Sequence, residues 1–96
     1  MGPISIKLST ALSQVIRMLE QDGQSHWSDR LSQARDDLLA SDSFGANSIL
    51  SVYEGEDPFD DVSIRNVSKK NESFAELRGE IRALAKEIEH QNRESK

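Results

Sequence analysis

Apolar residues fall at Ile4, Leu8, Leu12, Val15 and Leu19, with Ala11 and Ile16 widening the stripe. Steps of three and four put all of them on one face of a helix, and the spacing predicts one over residues 4–21. Asp22-Gly23 ends it, because glycine takes the left-handed conformation that closes a helix, and Gln24-Ser25 then offers a turn and an N-cap. A second stripe, Trp27, Leu31, Ala34 and Leu38 with Leu39 beside it, predicts a helix over 25–41. Its Asp29, Arg30, Gln33, Asp36 and Asp37 fall on the wet side. The short connection makes these two helices antiparallel neighbours.

Ser41-Asp42-Ser43 is a cluster of capping residues, and Phe44, Ile49, Leu50, Val52 and Tyr53 form an apolar segment interrupted by Gly45 and Asn47. A third helix over 43–53 is the reading it supports. The competitor is a strand over 49–53, where β-branched and aromatic residues gather, but no partner strand is evident nearby and a lone strand is unstable. Residues 54–72 lack helical period and contain Gly55 and Pro58, so they read as a connection, held to the core through Phe59, Val62, Ile64 and Val67. Ser73-Phe74-Ala75-Glu76 has the form of a capping box. Phe74, Leu77, Ile81, Leu84 and Ile88 then predict a closing helix over 73–91. The fold class is all-α: one domain, a small bundle of about four helices with an ordered acidic loop before the last.

Composition leaves that picture standing and adds one feature to it. Among 96 residues, 35% are hydrophobic and 30% charged, which suits one modest core and leaves little room for a deep catalytic cleft. With no cysteine there is neither a disulfide framework nor a thiolate metal site. No apolar run approaches the roughly 18 residues of a membrane span, and the N-terminus lacks the pattern of a secretory signal. A cytoplasmic protein is the expectation. The net charge is −5, and the run Glu54, Glu56, Asp57, Asp60 and Asp61 carries five negative charges within eight residues. Such a surface repels nucleic acid and attracts a basic protein.

The candidate chemistry is sparse. His26 lies beside Trp27 at the start of the second helix and His90 near the end of the last, and neither has a nucleophile or a supporting acid in an evident pattern. An enzyme is therefore not expected, and neither is a cofactor. The acidic run holds enough carboxylates for a calcium or magnesium ion, yet Pro58 and Phe59 interrupt the alternating ligands that an EF-hand loop requires, so no metal site is expected. Phe59 matters in two ways. A lone apolar residue among carboxylates resembles the core and rim of an interface, but it equally serves as a plug docking the loop onto the helices, and the plug is favoured. Partner contact is assigned to Tyr53, Glu54, Glu56, Asp57, Phe59, Asp60 and Asp61. A second chain packing on the last helix, as a homodimer, is the alternative.

Trp27, Leu31 and Leu38, then Ile49-Leu50-Ser51-Val52-Tyr53, then Gly55, Phe59, Asp61 and Ile64, and finally Leu77-Arg78 carry a resemblance over roughly residues 15–90. Together they look like a family of short, functionally uncharacterised bacterial helical proteins. Its members have a Trp-containing helix, a Leu-Ser-Leu-Tyr segment, a Gly-Gly-Met-Gly-Ser-Phe-Asn-Asp turn and a closing helix. Where that family tends to have Gly, Met, Gly, Ser and Asn, this chain has Glu54, Glu56, Asp57, Pro58 and Asp60. The resemblance implies an α-helical fold, a bacterial source and a likeness to immunity proteins, which bind and neutralise a cognate toxin. The partner it implies is a basic toxin domain.

Overall fold

In the computed structural model, residues 2–55, 58–59, 62 and 68–94 are described, with side chains except at 68–71 and 92–94. Four helices account for most of them: α1 (Pro3–Gln21), α2 (Ser25–Ala40), α3 (Asp42–Ser51) and α4 (Ser68–Glu94). Each begins and ends for a local reason. Pro3 stands in the first turn of α1, where its missing N–H costs nothing and its fixed φ suits the helix. At the other end the Gln24 N–H donates to the Leu19 carbonyl and the Gly23 N–H to the Glu20 carbonyl, with Gly23 at φ +75°. That pair of bonds is a Schellman closure, and it turns the chain straight back into α2. Of the expected capping pair, Gln24 is the N-cap residue of α2, without a side-chain cap bond, and the helix begins at Ser25.

Between α2 and α3 a single residue, Ser41, is extended, at φ −160° and ψ 127°. Its hydroxyl accepts from the Phe44 N–H at 3.4 Å, a long bond, and its carbonyl accepts from the Gly45 N–H at 2.8 Å. Gly45 is required by contact. A Cβ built on it would lie 2.6 Å from the Leu38 Cβ and closer still to the Leu38 backbone, so the two helices meet here main chain against main chain. The interruption that Gly45 makes in the apolar pattern is thus the point where α3 folds onto α2. Ser48 Oγ donates to Asp37 Oδ2 at 2.8 Å one turn further along and fastens the same pair.

α3 ends in three consecutive i to i−3 bonds, from Val52, Tyr53 and Glu54, so it stops two residues before the expected limit and the strand alternative over 49–53 is not formed. α4 differs more. It starts at Ser68 rather than Ser73, which places the supposed capping box inside the helix. No Pro or Gly stands between Ser68 and Glu72, and Lys69, Lys70 and Glu72 are good helix formers, so nothing local stops α4 from reaching back.

The helices pack around a ring in which α1 touches α2 and α4, and α3 touches α2 and α4. Neighbours run antiparallel: Arg35 Nη1 donates to Ser13 Oγ at 3.2 Å between α1 and α2, and the Tyr53 hydroxyl beyond α3 donates to the Arg78 carbonyl of α4 at 2.5 Å. The long axis of the molecule, 44 Å, is set by α4, whose 27 residues at the ordinary helical rise span about 40 Å. Inside lie Leu8, Leu12, Val15, Leu19, Leu31, Leu38, Ile49, Phe74 and Ile81, which are the stripes read from the sequence, joined by Ala46 and Ala85. Leu77 and Leu84 are partly buried against this core. Two apolar residues break the pattern: Leu39 and Phe44 are exposed.

Candidate functional site

The up-and-down arrangement gives the bundle two distinct ends. At one end the C-termini of α1 and α3 meet the start of α2 and the first turns of α4, and here the chain leaves α3 into the acidic run. The local structure is dictated by Phe59. It is completely buried, with its ring 5.2 Å from Trp27, 5.5 Å from Tyr53 and 5.9 Å from Phe74, centroid to centroid. Its three neighbours come from α2, from the turn after α3 and from α4, so one side chain ties three elements together.

Backbone bonds complete the anchor. The Phe59 N–H donates to the Val52 carbonyl at 2.8 Å, and the Val62 N–H donates to the Phe59 carbonyl at 3.0 Å. The Val62 carbonyl then accepts from the Arg78 guanidinium, whose carbon also lies 5.9 Å from the Phe74 ring centre. Val62 is itself buried and Pro58 half-buried. Arg82 sits over the Tyr53 ring at 5.7 Å. The connection is therefore held to the helices at Phe59 and Val62, as the apolar pattern predicts. Ile64 and Val67, expected as further anchors, lie outside the described residues.

Of the residues assigned to partner contact, Glu54 is exposed at this end. Glu56, Asp57, Asp60 and Asp61 lie outside the described residues. Tyr53 and Phe59 are not on the surface. Tyr53 is 9% exposed and Phe59 0%, because both rings are committed to the aromatic cluster, and the buried contact expected from them toward a partner is made within the bundle instead. The apolar seam of α4, which the homodimer alternative would turn to a second chain, packs inside the bundle, with Ile81 and Ile88 buried and Leu84 partly so.

An open groove of about 640 Å³ runs between α3 and α4, lined by residues that include Tyr53, Glu54, Arg82, Lys86, Glu89 and His90. Two carboxylates and two cations leave it with no net charge to select an ion. His26 is exposed, its ring edge-on to Trp27 at 5.6 Å, while Arg30 stacks on the Trp27 indole at 4.8 Å. These contacts cover the outer side of the aromatic cluster. Among the described residues, no group of three His, Asp or Glu is placed to hold a metal ion, and no helix is long and apolar enough to cross a membrane.

The other end of the bundle carries what the sequence reading did not single out. Phe44, Leu39 and Ile6 are 59%, 58% and 54% exposed, and they are the large apolar side chains that stand open among the described residues. Ile6 belongs to the second turn of α1, Leu39 to the last turn of α2 and Phe44 to the first turn of α3. A usable signal existed for Leu39, which lies to the side of the Trp27, Leu31, Ala34, Leu38 stripe.

Fold and site together define the class: a small all-α bundle with an anchored acidic segment at one end and an exposed apolar corner at the other. No family model matches the chain, and neither the curated proteins nor the solved structures include a match.

Proposed function

We propose that the protein is an immunity-type binder that neutralises a cognate toxin by offering a carboxylate-rich surface to a basic toxin domain. The single observation that carries this reading is the burial of Phe59 from within the acidic run. It fixes one residue of the stretch that carries the five carboxylates on the packed bundle. A rooted segment has less conformational entropy to lose on binding, which favours affinity. Five negative charges in eight residues favour fast, steered encounter with a cationic face. Tyr53 and Phe59 contribute by holding that root and not by touching the partner.

The test is association kinetics with a candidate basic toxin domain, at two salt concentrations. The full chain is compared with a variant in which the five carboxylates are replaced by their amides. A loss in association rate of about tenfold or more at low salt, with a flatter salt dependence, is expected. A complex whose rate and affinity are the same in both proteins, or the lack of any complex, contradicts the reading.

A further inference from the structure

We propose that the α2–α3 corner is a second contact surface, built for an amphipathic, Lys/Arg-flanked apolar segment of a partner protein. It goes beyond the toxin-binding reading, since it lies at the end of the bundle away from the acidic run and stands whether or not that reading does. The apolar part is Leu39, Ala40 and Phe44, all exposed. Gly45 packs directly on Leu38. With one Cα step of 3.8 Å on either side of that contact, the Cα atoms of Leu39 and Phe44 can be no more than about 11 Å apart. Ile6 extends the apolar surface along α1. It lies seven residues before Ser13 and hence on the same edge of the helix, the edge that Arg35 of α2 reaches.

Rigidity and charge decide what such a surface would take. The main-chain contact at Gly45, the Ser48–Asp37 bond and the Ser41 cap hold the corner in one shape, so its two large side chains are presented without a further ordering cost. Around them stand three carboxylates. Asp36 is exposed and lies three residues before Leu39, on a neighbouring position of the same helix face, while Asp37 and Asp42 are half-exposed. Of the cations nearby, Arg35, one turn before Leu39, is turned away to Ser13 of α1 and Lys7 stands beside Ile6, while no Lys or Arg occurs between residues 36 and 64. A second copy of the chain would bring the same three aspartates against these, and an anionic membrane surface would be repelled in the same way. A cationic segment with an apolar face meets both parts of the corner: its side chains cover Leu39 and Phe44, and its charges meet Asp36 and Asp42.

The probe is a synthetic amphipathic peptide with two leucines one helical turn apart and Lys/Arg on either side, titrated into the full isotope-labelled chain and followed by amide chemical shifts. Shifts are expected over residues 36–45, weakening as salt is raised. Leu39→Ser and Phe44→Ser are each expected to weaken binding at least about tenfold. Both side chains are exposed, so an unchanged far-ultraviolet spectrum is expected, and Asp36→Asn provides a second variant that leaves the apolar contacts intact. The five-amide loop variant should bind the peptide as the unaltered chain does, which separates this proposal from the toxin-binding reading. Shifts confined to the loop end, no shifts at millimolar peptide, equal binding of a peptide with Glu in place of Lys/Arg, or a dimer in sedimentation that Phe44→Ser dissociates would each overturn it.

Discussion

Phe59 and Gly45 show how much of this fold rests on single residues. A phenylalanine in a charged loop has two physical options, outward toward a partner or inward as a plug, and its neighbours in sequence do not choose between them. The choice is made by Trp27, Tyr53 and Phe74, which are 32, 6 and 15 positions away and leave a space of aromatic shape. That is why the plug could be favoured from sequence but its partners could not be named. Replacing a fully buried Phe by Ala removes its transfer energy and leaves a cavity, so Phe59→Ala should cost about 3–5 kcal/mol in chemical denaturation. It should also shift the Trp27 emission, since the two rings are in contact. Gly45 was legible only as an interruption. Because its missing side chain faces the Leu38 backbone rather than a flexible tip, Gly45→Ala should destabilise by about 1–3 kcal/mol or more, despite alanine's better helix propensity. A gain in stability would show that α2 and α3 do not meet main chain to main chain.

At the level of elements, α1 and α2 could be read because their apolar positions repeat cleanly and Asp22-Gly23 supplies an unambiguous stop. α3 was harder, being short and carrying an exposed Phe44 that belongs to the apolar count but not to the core. Its start is fixed by Ser41, one residue wide, and its end by a tightening turn that pattern alone does not reveal. α4 starts at Ser68, five residues before the start that its pattern predicts. Ser73-x-x-Glu76 has the residues of a capping box, but a box acts only where the chain before it is non-helical, and Lys69, Lys70 and Glu72 favour a helix that continues through Asn71. The two positions for the start predict opposite effects. If Ser73 capped the helix, alanine there would cost about 1 kcal/mol; at an exposed interior position, Ser73→Ala should be neutral or stabilise by a few tenths of a kcal/mol. Thermal unfolding of that one variant separates them.

For the whole molecule, four of the five aromatic residues gather at the end where the acidic run departs, and the fifth, Phe44, stands exposed at the other. Charge and hydrophobic contact are thus placed apart: the steep concentration of carboxylates lies on an anchored connection, while the open apolar side chains lie at the α2–α3 corner. The acidity was plain in the sequence because it is local. The corner was not, because exposure depends on how three helices pack. The proposed role as a surface binder depends on the connection after α3 being held at Phe59 and Val62. Amide hydrogen exchange of the isolated full chain tests this without any partner. The Phe59 and Val62 amides, which donate to the Val52 and Phe59 carbonyls, should exchange slowly, with protection approaching that of α3. Exchange of both amides at the rate of an unstructured chain, while the helices remain protected, would contradict the account.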